Sequence, residues 1–373
     1  MGNITVRKID YPKELKKFIK FPWKVYQNDK YWVPPLDYDQ KHILKKEKNP
    51  FFKHAEMDMF LAEKDGEVVG RIAAIKNDLH NEVHNDKVGF FGFYEAIDDQ
   101  EVADKLFDAA KEWVKSKGLD KLRGPASPSV NDVYGLLIDG FEDYPRLMMS
   151  YNPKYYINQM ENYGFYKAKD LYAYQIDQDV ILKSEKITRI SKLAAKRAKA
   201  TVRSVNMKDF HGELEKVKYV FNKAWQPNWG FVPFTDEEIE AAAKELKPLV
   251  VPELTIFLEI EGETAGFALV MPDYNLIIKD MNGKLFPFNF LKLMRWKGKV
   301  DWARILILGI VPEHQKKGLD AYMYYEITER AMKLGINKGE ASWILEDNVM
   351  MNKGAEMMGG TLYKKYRLYE IDA

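Results

Sequence analysis

Short apolar and polar runs alternate along much of this chain. "FLAEKDGEVVGRIA" (60–73) sets apolar clusters on either side of an Asp-Gly pair, which predicts a hairpin of two strands. "FLEIEGETAGFAL" (257–269) repeats the pattern around Gly262, and both stretches carry a Gly inside the second strand. "RILILGI" (304–310) is a continuous apolar run, as expected of a strand covered on both faces. Pro312 follows it closely and, having no N–H to donate, ends the ladder. An amphipathic helix is predicted to start near Lys317. "AKEWVKSKG" (110–118) and "ERAMKLG" (329–335) read as helices closing on Gly.

These patterns recur. "WKVYQNDKYWVPPL" (23–36) is echoed by "WQPNWGFVPF" (225–234), and "YGFYKAKDLYAYQID" (163–177) by "MGGTLYKKYRLYEID" (358–372). Gly92, Gly118 and Asn131 stand at one constant offset of 217 residues from Gly309, Gly335 and Asn348. Blocks that match in the same order predict two copies of one α/β (α+β) domain. Each copy reads helix, helix, strand hairpin, strand, helix, strand, helix, strand. The expected division is a first domain over 1–179, a basic linker helix over 180–205 with a thin stripe of Ile187, Ile190 and Ala194, and a second domain over 206–373. The copies differ by two insertions, 132–153 in the first and 272–302 in the second. Structured insertions of that length usually cover or line a site.

A length of 373 residues also favours two domains. Lys+Arg (57) nearly balances Asp+Glu (56), which argues against a nucleic-acid coat. The absence of cysteine excludes disulfides, thiolate catalysis and Cys-ligated zinc, and suits a reducing compartment. No run of eighteen apolar residues occurs, so a cytoplasmic protein without a membrane span is expected. His80 and His84 sit at a metal-pair spacing, but no third ligand accompanies them. A solvated loop and no metal are expected there.

The stretch "VPEHQKKGLDAYMY" (311–324) carries the clearest chemistry. A strand that ends in a turn and opens a helix directs free amide N–H groups and the positive helix end at an anion. Gly318 permits close backbone approach, and Lys316 and Lys317 add positive charge. Here the chain resembles the GNAT N-acetyltransferase superfamily, whose acyl-CoA motif is Gln/Arg-x-x-Gly-x-Gly/Ala after the fourth strand. In this chain it reads Gln315-Lys316-Lys317-Gly318-Leu319-Asp320. The resemblance covers both halves as a tandem pair, with Asn348 and Gly359 also matching the family layout. It implies twisted mixed sheets flanked by helices, splayed between the fourth and fifth strands. It further implies a pantetheine arm along Gly309, Ile310 and Val311, and a pyrophosphate on the amides of Lys316 to Asp320. Two departures stand out. The last Gly/Ala is Asp320, and the slot of the family's acidic Tyr is Ala355. The first copy has "DDQEVA" (98–103) opposite the motif, without Gly, and Asp98 with Glu101 fits a helix capping box instead.

Acyl transfer from a thioester needs a base for the amine and an acid for the sulfur. Glu346, at the end of "EASWILEDN", is the candidate base, although the same stretch also reads as the start of a helix capped by Asp347 or Asn348. Tyr363 and Tyr366 are candidate acids that equally read as packing residues. Trp225, Asn228, Trp229 and Phe231 lie in the loop that the resemblance places over the acceptor, and Tyr151, Asn152 and Tyr155 offer a similar mixture. The reading is an acyl-CoA-dependent N-acyltransferase, acetyl-CoA or another acyl-CoA being the donor. Its acceptor would be an amine on a small molecule, amino-acid derivative or peptide. The alternative is a non-catalytic acyl-CoA or small-ligand binding protein.

Overall fold

The computed structural model describes residues 3–373. In the first half of the chain, strand β1 (Ile4–Lys8) precedes helices α1 (Leu15–Lys20), α2 (Pro22–Val25) and α3 (Asp37–Ile43). There follow β2 (Ala55–Lys64), β3 (Glu67–Asn77), α4 (Asp78–His84), β4 (Val88–Ala96), α5 (Gln100–Ser116) and β5 (Lys121–Gly124). Three short strands, β6 (Ala126–Ser127), β7 (Val133–Tyr134) and β8 (Leu136–Asp139), lead to α6 (Tyr155–Tyr163) and β9 (Tyr166–Asp177). The second half begins with α7 (Gln178–Lys183) and α8 (Glu185–Ala198), then β10 (Ala200–Ser204), α9 (Phe210–Trp225) and α10 (Asp236–Leu246). It continues through β11 (Thr255–Ile260), β12 (Glu263–Pro272), α11 (Asn275–Lys279), α12 (Phe290–Met294) and β13 (Trp302–Ile310). It ends with α13 (Leu319–Lys333), β14 (Lys338–Leu345), α14 (Val349–Met357) and β15 (Thr361–Asp372).

Each half opens on a strand that the sequence pattern does not predict. The segment 180–205 is not one helix. Lys199, in the left-handed region at φ 51°, stops α8. Ala200–Ser204 then runs antiparallel to β11, with Ala200 opposite Ile260. β1 pairs with β2 in the same way.

Two compact units emerge, and neither is a contiguous stretch. Unit 1 comprises the chain up to Asp170 with Ile278–Leu285 and Lys365–Ala373, and unit 2 comprises Leu171–Ile277 with Phe286–Lys364. The sheet of unit 1 runs β1-β2-β3-β4-β5-β15, and that of unit 2 runs β10-β11-β12-β13-β14-β9. In both, one parallel pair (β4 with β5, β13 with β14) sits among antiparallel ones. The sixth strand of each unit is therefore drawn from the other half of the sequence. Tyr369–Asp372 lies opposite Gly124–Lys121, and Asp177 lies opposite Lys338. The similar endings seen in the sequence are two strands that fill the same slot in opposite units.

The long helix of each unit supplies the core by its spacing. Val102, Leu106, Ala110 and Val114 of α5 are fully buried with Phe91, Leu122 and Tyr369 in unit 1. On α13, Leu319, Met323, Ile327 and Ala331 form the corresponding stripe. Such i, i+4 rows lay one helix face on the sheet. His80 departs from its expected solvated loop. It sits on α4, buried edge-on against Phe90 at 4.8 Å. Burial there, with His84 and Arg123 nearby, pushes its pKa down to about 3.

The exchanged strand makes a clear forecast. Tyr369→Ala, only a few residues from the chain end, removes a side chain that is 1% exposed in the core of unit 1. The expected cost is roughly 3–5 kcal/mol. Hydrogen exchange should show lost protection in β5 and α5, while β11 and β12 keep theirs. Loss beginning in β11 and β12 would contradict the exchange of strands.

Candidate functional site

The site of unit 2 begins with one extra residue. Leu269 of β12 pairs with Ile307 of β13, but Val270 pairs with Ile305, so Leu306 has no opposite number. Such a bulge bends its strand and increases the local twist. On the other edge, the registered pairs of β13 with β14 end at Ile305–Ala341. β14 continues instead along β9, as far as Leu345 opposite Leu171. Beyond Ile305 the β13 edge facing β14 therefore opens, and Ile305, Leu306, Ile307 and Leu308 are only half-buried although they are apolar.

The open edge runs directly into the helix-opening loop. Val311 N donates to the Ala265 carbonyl (2.9 Å) and keeps the strand on β12. Pro312–His314 makes one tight turn, and Gln315 Nε2 reaches back to the Ile310 carbonyl at 2.9 Å. Lys316 (φ 60°) and Gly318 (φ 73°) are both left-handed. The nearest neighbour of a Cβ placed on Gly318 would be the Ala194 Cβ of α8, at 3.4 Å. No side chain caps the start of α13. Its first amide N–H groups and positive end therefore face the loop, where Lys316 and Lys317 are exposed. Leu319 is buried and pins the helix start into the core. The carboxylate of Asp320 turns toward α14, with Oδ2 3.8 Å from where a Gly354 Cβ would stand.

The bulge also decides what faces the opposite side. Ile305 and Leu308 both pack on the cluster containing Tyr324 and Tyr325 of α13. With Leu306 interrupting the alternation, Arg304 and Gly309 come to the other face together. Trp225, at the end of α9, covers that face. A Cβ on Gly309 would fall 2.1 Å from its ring, so only Gly fits there. Phe221 stacks on Trp225 at 4.9 Å, and Phe231 packs on Phe221 at 5.6 Å. Further along the same face lies a buried polar group. Arg304 Nε donates to Ser342 Oγ (3.0 Å) and stands 3.5 Å from Glu340. Ser342 Oγ donates to Glu340 Oε1 (2.7 Å), and the Tyr363 hydroxyl donates to Glu340 Oε2. Glu340 is fully buried. Sequence reasoning missed Arg304, Glu340 and Ser342. The available signal was a charge inside each of two strands, Arg304 in "WARILILGI" and Glu340 in "KGEASWIL".

Other candidates take quieter positions. Glu346 follows β14 directly, and its carbonyl accepts from Asn352 Nδ2 at 3.4 Å. Asn348 caps α14 by accepting from Met351 N (3.1 Å). Ala355 is fully buried in the core of unit 2. Tyr366 is fully buried opposite Leu137 in unit 1, so it is not grouped with Tyr363. Asn228 forms a turn, its N–H on the Trp225 carbonyl and its own carbonyl accepting from Phe231 N, and Trp229 is half-buried next to it. In unit 1, Tyr151 donates to Asp29 (2.9 Å), and burial beside that carboxylate raises the phenol pKa. Asn152 bridges the N–H and C=O of Leu137, and Tyr155 donates to the Ala96 carbonyl.

Unit 1 fills the equivalent places with itself. By pairing register, the counterpart of Gly309 is Glu95 and not Gly92, because Arg71–Glu95 matches Phe267–Gly309. Glu95 accepts from the Tyr156 hydroxyl (2.8 Å) and lies 3.7 Å from Arg71. Burial raises its pKa against the pull of that guanidinium. Next to the open stretch of β4, a Cβ on Gly92 would fall 1.7 Å from the Ala126 carbonyl oxygen, and Phe93 N donates to Ser127 Oγ (2.9 Å). Residues 126–127 thus occupy the groove. At the start of α5 the cap is Asp99, which accepts from Glu101 N (3.1 Å) and pairs with Lys64 (2.9 Å). The expected Asp98–Glu101 box does not form. A carboxylate already holds the position an anion would take.

A parallel pair that splays before a helix, present in both units, matches known proteins. The chain is 37% identical over 380 residues to a protein of Caulobacter vibrioides named bacterial ceramide synthase, spanning 99% of this chain and 97% of that one. It is 36% identical over 364 residues to Protein YghO of Escherichia coli, spanning 96% and 92%. It belongs to the family of these two proteins. A tandem GNAT protein from the clavulanic acid biosynthesis pathway superposes over 99% of this chain and 98% of its own, with a TM-score of 0.58 at 10% identity. The chain has a tandem GNAT fold. No family model matches it. The GNAT fold accounts for the opened β13 edge and the helix-opening loop, and the second GNAT unit is the one that keeps both free.

Two substitutions separate the units. Gly318→Glu sets bulk and negative charge on the open loop of unit 2 and should abolish coenzyme A binding in calorimetry. Asp99→Ala should leave that affinity unchanged while costing about 1 kcal/mol of stability, as loss of an N-cap does. Equal loss of coenzyme A affinity in both variants would show that the units do not divide in this way.

Proposed function

We propose that this protein is an acyl-CoA-dependent N-acyltransferase acting on the primary amine of a long-chain amino alcohol. The observation that carries the reading is the open edge of β13 running into the uncapped start of α13. Backbone groups of Leu306 to Ile310 would hold the pantetheine arm. The amides of Lys317 to Asp320, with the Lys316 and Lys317 side chains, would hold the pyrophosphate. When bound, the donor supplies an activated thioester carbonyl. The half-buried apolar run Ile305–Leu308 supports a donor with a longer chain than acetyl. The acceptor class rests on the family relative named ceramide synthase, since a ceramide is a fatty amide of a long-chain amino alcohol.

Glu340 and Tyr363 then divide the proton work. Glu340 takes the proton that the amine nitrogen loses as the new N–C bond forms. Tyr363 gives its phenolic proton to the sulfur as the C–S bond breaks, and recovers one from Glu340 through the hydrogen bond that joins them. Arg304 and Ser342 hold the carboxylate in place. Glu340 is preferred to Glu346 because it touches a phenol able to act as the acid. Trp225 and Phe231 wall the face that the acceptor approaches. The first unit, with its groove and helix start filled, binds no donor.

The reading is tested by thiol release from a long-chain acyl-CoA over a panel of amines. Long-chain amino diols should outperform amino acids, amino sugars and peptides. Glu340→Gln and Tyr363→Phe should each lower kcat by about 10²- to 10⁴-fold, the usual range for acid–base catalysis, with donor affinity unchanged. Ala355, buried where the family's acidic Tyr stands, favours the alternative of a donor-binding protein without turnover. Donor binding without thiol release across the whole panel would establish that alternative.

A further inference from the structure

The insertion between β12 and β13 carries a feature that the acyl-transfer reading does not use. Its first part counts with unit 1, where Trp23 Nε1 donates to Asn282 Oδ1 (2.7 Å) and Asp37 N donates to the Gly283 carbonyl (2.9 Å). Its tip belongs to unit 2 and is two-sided. Leu293 and Trp296 are buried, the latter edge-on against Tyr274 at 6.3 Å. The other side meets solvent: Phe286 is 59% exposed, Phe288 75%, Phe290 39%, Leu291 41% and Met294 60%. This many large apolar side chains on one short segment is far more than scattered surface exposure. The same segment carries Lys292, Arg295, Lys297 and Lys299, all exposed, and no acidic residue occurs between Asp280 and Asp301. The whole chain, by contrast, is nearly neutral, with 57 basic against 56 acidic residues.

We propose that residues 286–299 dock the protein on an anionic lipid bilayer, the phenylalanines entering the headgroup boundary and the lysines and arginine contacting lipid phosphates. Apolar and aromatic side chains ringed by cations are the composition of interfacial segments. The docking is peripheral, because among the described residues no helix is long and apolar enough to cross a membrane. A second copy of the chain is a poorer occupant, since two such patches face to face would bring the same cations together. A nucleic acid would meet the cations but leave the phenylalanines in water. The inference does not depend on the proposed reaction.

The experiment is cosedimentation of the full chain with vesicles of phosphatidylcholine alone, or of phosphatidylcholine and phosphatidylglycerol in equal amounts. The protein should sediment with the anionic vesicles, release as salt rises, and stay in solution with the neutral ones. Lys297→Glu and Lys299→Glu should each weaken binding by at least fivefold, the value of about 1 kcal/mol per lost cation. Phe288→Ser should weaken it comparably with an unchanged melting temperature, and Phe288→Trp should shift its emission to the blue on vesicles and be quenched by brominated acyl chains. The inference is overturned if the native chain ignores anionic vesicles, if Phe288→Ser binds them as well, or if the Phe288→Trp emission does not move. It is equally overturned if Phe288→Ser turns a dimer into a monomer, which would assign the patch to a second copy.

Discussion

The architecture of the second unit turns on where β13 stops pairing with β14. A parallel pair that continued past Ile305–Ala341 would satisfy every backbone group between the strands and leave nothing for a ligand. Leu306, the unmatched residue, bends β13 away at that point. Unpaired backbone donors and acceptors in a half-buried groove must be met by water or by a bound group. Gln315 takes up one of these groups, the Ile310 carbonyl, and so fixes the motif loop to the strand it follows. Groove and loop are thus one device, because the strand ends where the helix opens.

The two units show what the same fold does when the groove is closed. Unit 1 has the strand order of unit 2, yet Ala126 presses on Gly92, the Asp99 carboxylate occupies the start of α5, and Glu95 stands where Gly309 admits a tryptophan ring. The first two close with internal groups the places that stay open in unit 2, and the third sets a buried carboxylate where unit 2 has a glycine under a ring. The crossing of β9 and β15 gives a physical reason why both halves are needed. A sheet whose sixth strand comes from the other half of the chain is incomplete without it. Tyr369 is anchored in unit 1 while Tyr174 is anchored in unit 2, so neither half of the sequence encloses its core alone.

Much of this was legible in the sequence where the signal is local. The hairpins, the long helices and the Gln315–Asp320 motif each depend on neighbouring residues, and all are found where the pattern puts them. β1 and β10 were not legible, because five-residue edge strands each carrying an Arg show no alternation that separates them from a helix or loop. The match of Gly92 to Gly309 failed for a related reason. A constant offset along the chain ignores loop length, and the turn from β13 (ending at Ile310) to α13 (starting at Leu319) is longer than the turn from β4 (ending at Ala96) to α5 (starting at Gln100). Glu340 escaped because its partners are brought to it by register: Arg304 from the neighbouring strand and Tyr363 from β15. A charge in an apolar strand is visible in a sequence, whereas its companions are not. Asn348 illustrates the reverse, a family-like position whose side chain is engaged in capping a helix.

The energetics of Glu340 bear on whether its network belongs to the fold or to a site. Removing a carboxylate from water costs several kcal/mol, and Arg304, Ser342 and Tyr363 must together offset it. Apolar side chains of similar volume would join the strands at no such cost, and replacing buried ion pairs in that way is often neutral or stabilising. Stability therefore gives no reason to set a charge at the mouth of an opening sheet. Its placement does: the residue unmatched at Leu306 turns Arg304 to the face where Trp225 lies over Gly309, and Glu340 joins it there. One bulge thus sits where the edge of β13 opens and sets Arg304, with Glu340 beside it, on the face that Trp225 covers.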